Sequence, residues 1–305
     1  ERILLKGQGK AFCAGGDVKS LFGSSIDSQL KKNFFNKEYK LNYMISKFKK
    51  PYLSIWDGIV MGGGVGLSIY GNLRIATENT KFAMPETAIG LFPDVGGGWL
   101  LGQLDKGIGA WLSLVGARIK AYDLMKLKLI THYVSSSEIG NLKKMLISSS
   151  PSTNDKVDSI INSLSSNPNS EDSVLITNEN IIKDAFSFDT IEQIFDKCES
   201  ITTSGNEFLK SQFTELKHKS PTSLKISLKQ IRDASKMSLK DELIMEYRMV
   251  QRCLEIGDFF EGVRAMLVDK DRKPNWKPSN IQDVDESRVN KFFESLEDLD
   301  LILTN

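Results

Sequence analysis

Met84-Pro-Glu-Thr-Ala-Ile-Gly-Leu-Phe-Pro-Asp-Val-Gly-Gly-Gly98 is the most informative stretch of this chain. It sets two carboxylates, Glu86 and Asp94, each directly after a proline, among Met84, Ala88, Ile89, Leu91, Phe92 and Val95. One such acid alone reads as a helix cap or a turn residue. Two in an apolar run are harder to dismiss, because apolar surroundings raise a carboxyl's pKa and make it a better base. Upstream lie two glycine runs, Gly62-Gly63-Gly64 and Cys13-Ala14-Gly15-Gly16-Asp17. Glycine lets backbone N–H groups approach a ligand closely, and a helix that starts at such a run carries unpaired donors and a partial positive charge. Donors and acids together point to a site that stabilises an oxyanion and carries its own base. The glycines of 62–64 read equally well as close packing of a helix on a strand. They form no phosphate loop, since no Gly-Lys-Ser/Thr follows them.

Around this stretch, short apolar runs alternate with helical patterns. Ile3–Leu5, Tyr52–Trp56, Leu73–Ala76 and Lys81–Ala83 read as strands. Leu30–Phe48 reads as a helix with apolar positions at Phe34, Leu41, Ile45 and Phe48, another helix runs from the glycine run through Tyr70, and Trp111–Val115 ends at Gly116. Such alternation predicts an α/β domain over residues 1–134. Beyond Val134 the chain turns serine-rich and its periodicity becomes helical. Ser220-Pro221 reads as an N-cap with proline at the first helical position. Ser238-Leu-Lys-Asp241 resembles a capping box opening a stripe of Leu239, Leu243, Tyr247, Val250 and Leu254, with Gly257 as its stop. A mostly helical region over 135–305 is expected.

Composition narrows the function. The 305 residues can bury a full core, with 40% hydrophobic and 26% charged residues. A net charge of +1 argues against a dedicated nucleic-acid binder, which needs a basic excess. Cys13, Cys198 and Cys253 are odd in number and widely spaced, so no disulfide framework is implied. Cys13 reads as a small buried residue rather than a nucleophile, because only His132 and His218 could activate it, and neither has a metal-ligand spacing. No apolar run is long enough to span a bilayer. The chain begins at Glu1 and enters a strand with no targeting segment in view. Glu38 by itself reads as a solvated helix residue, and Lys270, Arg272 and Lys273 as a solvated loop.

Taken together the motifs resemble the enoyl-CoA hydratase/isomerase (crotonase) superfamily. Lys10-Ala-Phe-Cys-Ala-Gly-Gly-Asp17 is similar to its first oxyanion loop, Asp57-Gly-Ile-Val-Met-Gly-Gly-Gly-Val-Gly66 to its second, and Phe259-Phe-Glu-Gly-Val-Arg-Ala265 to its C-terminal helix signature. The resemblance implies an α/β fold, a crotonase-like spiral of ββα units with a helical C-terminal region, whose first turn is missing from this chain. It also implies an acyl-CoA thioester as partner, with coenzyme A entering as part of the substrate rather than as a cofactor, no metal, and residues 1–134 as the core holding the acyl-CoA site. Two backbone N–H groups form the family's oxyanion hole, falling here on Gly63 and on Gly16 (or Gly15). Homo-oligomers are common in the superfamily, and a mitochondrial location is implied.

Within the superfamily, hydratases hold a glutamate two residues after the last glycine of the second run, and this chain has Gly66 there. Their second acid matches Glu86, and where they carry glycine after the next proline this chain has Asp94. The opening stretch, together with Phe34-Phe-x-x-Glu-Tyr39, Ser220-Pro-Thr-Ser-Leu-Lys-Ile226 and Met245-Glu-Tyr-Arg248, is similar to the branch that hydrolyses 3-hydroxyisobutyryl-CoA in valine breakdown. That branch implies Glu86 and Asp94 as the catalytic acids, and Glu38, Gly63, Glu86 and Asp94 as substrate-binding residues. The rival readings are a hydratase or isomerase, which Gly66 disfavours, and a non-catalytic structural relative, which the retained acids and glycines disfavour.

Overall fold

The computed structural model describes residues 2–23, 29–150 and 153–304. The chain divides into two compact units, each assembled from separate stretches. One comprises Glu1–Gly16, Met44–Ala83 and Arg118–Thr177; the other comprises Asp17–Tyr43, Met84–Ala117 and Asn178–Asn305.

The first unit holds strands β1 (Ile3–Lys6), β2 (Ala11–Cys13), β3 (Tyr52–Trp56), β4 (Ile59–Met61), β5 (Leu73–Ala76), β6 (Lys81–Ala83) and β7 (His132–Tyr133). They form two parallel sheets in the orders β1-β3-β5-β7 and β2-β4-β6. Each successive ββ step therefore adds one strand to each sheet, which is the spiral expected. All five residues of β3 are buried, as befits a parallel strand covered on both faces. Leu53, Ile55, Leu73 and Ile75 share one face of the larger sheet and pack on Ile139, Leu142, Leu146, Val157 and Ile161 from the helices Ile139–Ser149 and Asn154–Asn162. Each such side chain, fully buried, contributes about 1.5–3 kcal/mol. That packing explains why residues 135–177 group with the strands, although the composition changes at residue 134.

β3, β5 and β6 fall where the sequence places them, and β1 is one residue longer. The strands β2, β4 and β7 were not foreseen: at three, three and two residues they are too short to show a periodicity.

The second unit is mainly helical. Ser220 accepts from the Ser223 N–H and caps the helix Pro221–Ala234; Ser238 accepts from the Asp241 N–H and caps Leu239–Ile256, which stops at Gly257 in the left-handed region (φ 88°). Both caps follow the sequence reading. The helix Pro221–Ala234 packs on Gly97–Gly102 and Lys106–Val115, and the helix Asp258–Val263 packs on the 3₁₀ turn Glu86–Ile89.

Candidate active site

In the first unit the two glycine runs lie side by side. Gly63 opens a short helix, Gly63–Gly66, capped by Gly62 at φ 52°, ψ −126°, which has no side chain to cap its first N–H groups. A Cβ placed on Gly64 would lie 2.2 Å from the Cys13 carbonyl oxygen, so only glycine lets this helix press on the end of β2. A Cβ on Gly15 (φ 116°) would lie 4.0 Å from the Gly63 nitrogen. The loop that holds Gly15 and Gly16 thus adjoins the helix start, and Gly63 is half-exposed. Cys13 is half-exposed rather than buried, its Cβ against the Gly64 position.

The carboxyls gather in the second unit. Pro85, which has no N–H to extend β6, precedes the turn Glu86–Ile89. Gly90 closes that turn at φ 69°, where a Cβ would meet the Asp258 carbonyl at 2.3 Å; a Cβ on Gly262 would meet the Ile89 backbone at 2.4 Å. The signature around Phe259–Ala265 therefore supports Glu86 from behind. Glu86 and Asp94 are each 5% exposed. The Tyr39 hydroxyl donates to Asp94 Oδ2 at 3.0 Å, whereas Glu86 Oε2 has no partner among the described residues. Burial pushes Asp94 up to about 7, restrained by the Tyr39 bond. Burial, then the charge of Asp94, pushes Glu86 well above the usual carboxyl range. Glu38, half-buried rather than solvated, is pushed up to about 8 by burial and then by Asp94. Pairs of acids held at different pKa values divide into proton holder and anion. Here burial raises both carboxyls, and Asp94 has a donor, the Tyr39 hydroxyl, that favours its charged form.

Behind Asp94 lies a second pair of acids to which the sequence assigned no role, although Glu246 lies in the Met245–Arg248 motif. Glu242 and Glu246, one turn apart on the helix Leu239–Ile256, are fully buried. Glu246 Oε2 accepts from the Gly96 N–H at 2.8 Å and its Oε1 from the Gly98 N–H at 3.5 Å. Gln230 Nε2 lies 2.9 Å from the Pro93 carbonyl, 3.1 Å from Glu242 Oε1 and 3.0 Å from Glu246 Oε1. Burial raises Glu242 to about 7 and Glu246 well beyond its usual range, the nearby charge of Glu242 adding to the rise at Glu246. The signal was present: acids four apart, flanking the apolar stripe of Leu243, Tyr247 and Val250. Between Asp94 and Gly96 sits Val95 at φ 56°, a conformation that costs a β-branched residue about 1–3 kcal/mol.

No group of three or more His, Cys, Asp or Glu residues among those described could hold a metal ion. A buried carboxyl pair of unequal acidity can move a proton and activate water or attack a carbonyl.

Several known proteins are similar to this chain. The chain is 43% identical to the mitochondrial 3-hydroxyisobutyryl-CoA hydrolase of Xenopus laevis, covering 99% of this chain and 79% of that protein. It is 44% identical to the corresponding mouse (Mus musculus) protein, covering 98% and 78%. Among solved structures, a carnitinyl-CoA dehydratase from Mycobacterium thermoresistibile superposes with TM-score 0.88 at 33% identity, over 97% of this chain and 84% of that one. An enoyl-CoA hydratase from Rhodobacter sphaeroides superposes with TM-score 0.88 at 29% identity, over 99% and 86%. The model of the enoyl-CoA hydratase/isomerase family matches residues 1–293, and the chain belongs to that family.

Proposed function

We propose that this chain hydrolyses the thioester of 3-hydroxyisobutyryl-CoA to 3-hydroxyisobutyrate and free CoA, a step of valine breakdown. The observation that carries this reading is the acid set. Gly66 stands where hydratases of the family hold a glutamate, while Glu86 and Asp94 are both buried with raised pKa values. The relatives at 43–44% identity bear this activity in their names, and those names also support a mitochondrial location.

By the family resemblance, the Gly63 and Gly16 N–H groups receive the thioester oxygen as it becomes an oxyanion. Glu86, once its proton has passed to Asp94, either attacks the carbonyl to give a mixed anhydride or takes a proton from the attacking water. On the first route the Glu86 oxygen displaces the thiolate, the C–S bond breaking as the anhydride forms, and water then cleaves the anhydride to the free acid and Glu86. On the second the tetrahedral adduct of water collapses with loss of the thiolate. On either route Asp94 gives its proton to the thiolate, and CoA leaves as the thiol. Asp94 orients the hydroxyacyl group and shuttles the proton; Glu38, with its raised pKa, lines the acyl pocket as a neutral donor. Addition of water to a thioester requires no redox group, and CoA enters only as part of the substrate.

Free-thiol release from a panel of acyl-CoA thioesters tests the reading, beside hydration of crotonyl-CoA. Hydrolysis of 3-hydroxyisobutyryl-CoA is expected to be the faster reaction, and Glu86→Gln to lower kcat by ~10²–10⁴-fold. Faster hydration than hydrolysis, or full activity in Glu86→Gln, overturns it. Oxygen-18 passing from labelled water into Glu86 marks the anhydride route.

A further inference from the structure

Asp94 is tied on both sides by the same group of side chains. Before it, the Pro93 carbonyl accepts from Gln230 Nε2; after it, the Gly96 N–H donates to Glu246 Oε2, and Gln230 also reaches both Glu246 and Glu242. Between these ties Val95 is in the left-handed region at φ 56°, which a β-branched residue keeps only where its surroundings enforce it. The side chain of Asp94 itself is held by the Tyr39 hydroxyl.

Capping of the short helix Gly97–Gly102 is the simpler account of Glu246. An Asn or Ser at the cap position would do that from within the turn, without burying an acid pair. Instead the cap is glycine, and a Cβ on Gly98 would fall 2.5 Å from both Gln230 Nε2 and Glu242 Oε1. Gly98 makes room for Gln230 and Glu242, and two buried carboxyls are a costly way to satisfy a helix start unless the turn they fix matters.

We propose that Glu246 is a positioning residue for Asp94: with Gln230 and Glu242 as its fixed partners, it holds the strained Asp94–Gly96 turn so that the Asp94 carboxyl meets the substrate in one orientation. This inference rests on the reading of Asp94 as an acid of the hydrolysis.

A double-mutant cycle on the full chain tests it. Glu246→Gln puts an amide NH₂ against either the Gly96 N–H or the Gln230 amide, so one tie is lost with little change in volume. On 3-hydroxyisobutyryl-CoA its kcat is expected to fall about tenfold with KM within about twofold, in the range of couplings measured between interacting residues. In an Asp94→Asn background the same change is expected to alter kcat by less than about twofold, because Glu246 acts only through Asp94. Equal losses in both backgrounds, or a loss confined to KM, overturn the proposal. Asp94→Asn also separates the two readings. If it is impaired and the cycle is additive, only the role of Glu246 fails; if it turns over like the wild type, the role of Asp94 fails too. Should Asp94→Asn fall below detection, Tyr39→Phe takes its place, with a combined loss smaller than the product expected and a product-like loss refuting. Should Glu246→Gln not fold, Gln230→Met, which frees the Pro93 carbonyl, is read in the same cycle with the same outcomes.

Discussion

Two glycine triplets in this chain look alike on the page and do opposite things. Gly62–Gly64 and Gly96–Gly98 each lead into a short helix, the first entered through Gly62 itself at φ 52° and the second after Val95 at φ 56°. The first triplet has no side-chain cap from Gly62 on its leading N–H groups, and Gly64 lets the helix sit against the backbone of β2. In the second, the Gly96 and Gly98 N–H groups are taken up by a buried glutamate, and the missing Cβ of Gly98 makes room for that glutamate's partners Gln230 and Glu242. One leaves donors for a ligand, and the other secures a turn. A glycine run thus states only that something must come close; the nature of the neighbour decides the function.

The sharpest way to break this contrast is Gly64→Ala. Its Cβ would meet backbone, the Cys13 carbonyl carbon at 2.9 Å and its oxygen at 2.2 Å, and backbone cannot rotate aside as a side-chain tip can. The helix start must shift and the Gly63 N–H with it. Loss of one oxyanion donor costs ~10²–10³ in kcat. The expected outcome is a loss of that size in thiol release, with thermal unfolding showing a folded protein. A variant with near wild-type kcat would mean that the Gly63 N–H plays no part in the reaction.

How much of this was legible beforehand follows the range of the interactions. Strands β3 and β5 read correctly because parallel strands buried on both faces are short continuous apolar runs, and Ser220, Ser238, Gly116 and Gly257 read correctly because a helix end is decided within four residues. Glu86 and Asp94 stood out because both lie in one apolar stretch. Glu38 by its own helix context read as solvated, yet the fold sets it close enough to Asp94 to feel its charge. Glu246 was illegible for the same reason in stronger form: its partner Gly96 is 150 residues away along the chain. A charged residue beside an apolar stripe shows its purpose only when the stripe's neighbour is known.

Gly98→Ala probes the other triplet and is expected to act more mildly on turnover. The added Cβ meets side-chain atoms, Gln230 Nε2 and Glu242 Oε1, so the clash can relax by displacing them. Overpacking of this kind costs about 1–3 kcal/mol of stability, read by denaturant unfolding. Turnover should fall only as far as the Asp94 turn loosens, less than in Gly64→Ala. If Gly98→Ala were the more damaging to kcat at equal stability, the division of labour between the triplets would be reversed.

The two triplets should also differ in their response to pH, because only the second is fastened by carboxyls. Burial holds Glu242 and Asp94 near 7 in the folded chain and pushes Glu246 well above its usual range, against about 4 in an unfolded one. Between about pH 4 and 7 the folded state therefore binds more protons than the unfolded state, and stability falls as pH rises. The thermal midpoint is expected to decline by a few degrees across that window. Glu242→Gln should flatten the decline, and a slope equal to the wild type's would show that Glu242 takes up no proton in that window.

Val95→Gly is the gentlest test and makes the second turn chemically like the first. Gly62 reaches φ 52° without strain, whereas Val95 holds φ 56° with a β-branched side chain that is 1% exposed. Removing the side chain loses burial worth ~1.5–3 kcal/mol. It also relieves strain of about 1–3 kcal/mol, so the two nearly cancel and the net change in stability should stay within about 1 kcal/mol. A loss of ~3 kcal/mol or more, as for an unstrained core position, would show that the turn is not strained. Turnover is the more telling measurement, since a relaxed turn no longer presses the Gly96 N–H onto Glu246. A fall in kcat at unchanged stability would separate the orienting of Asp94 from the folding of the chain around it.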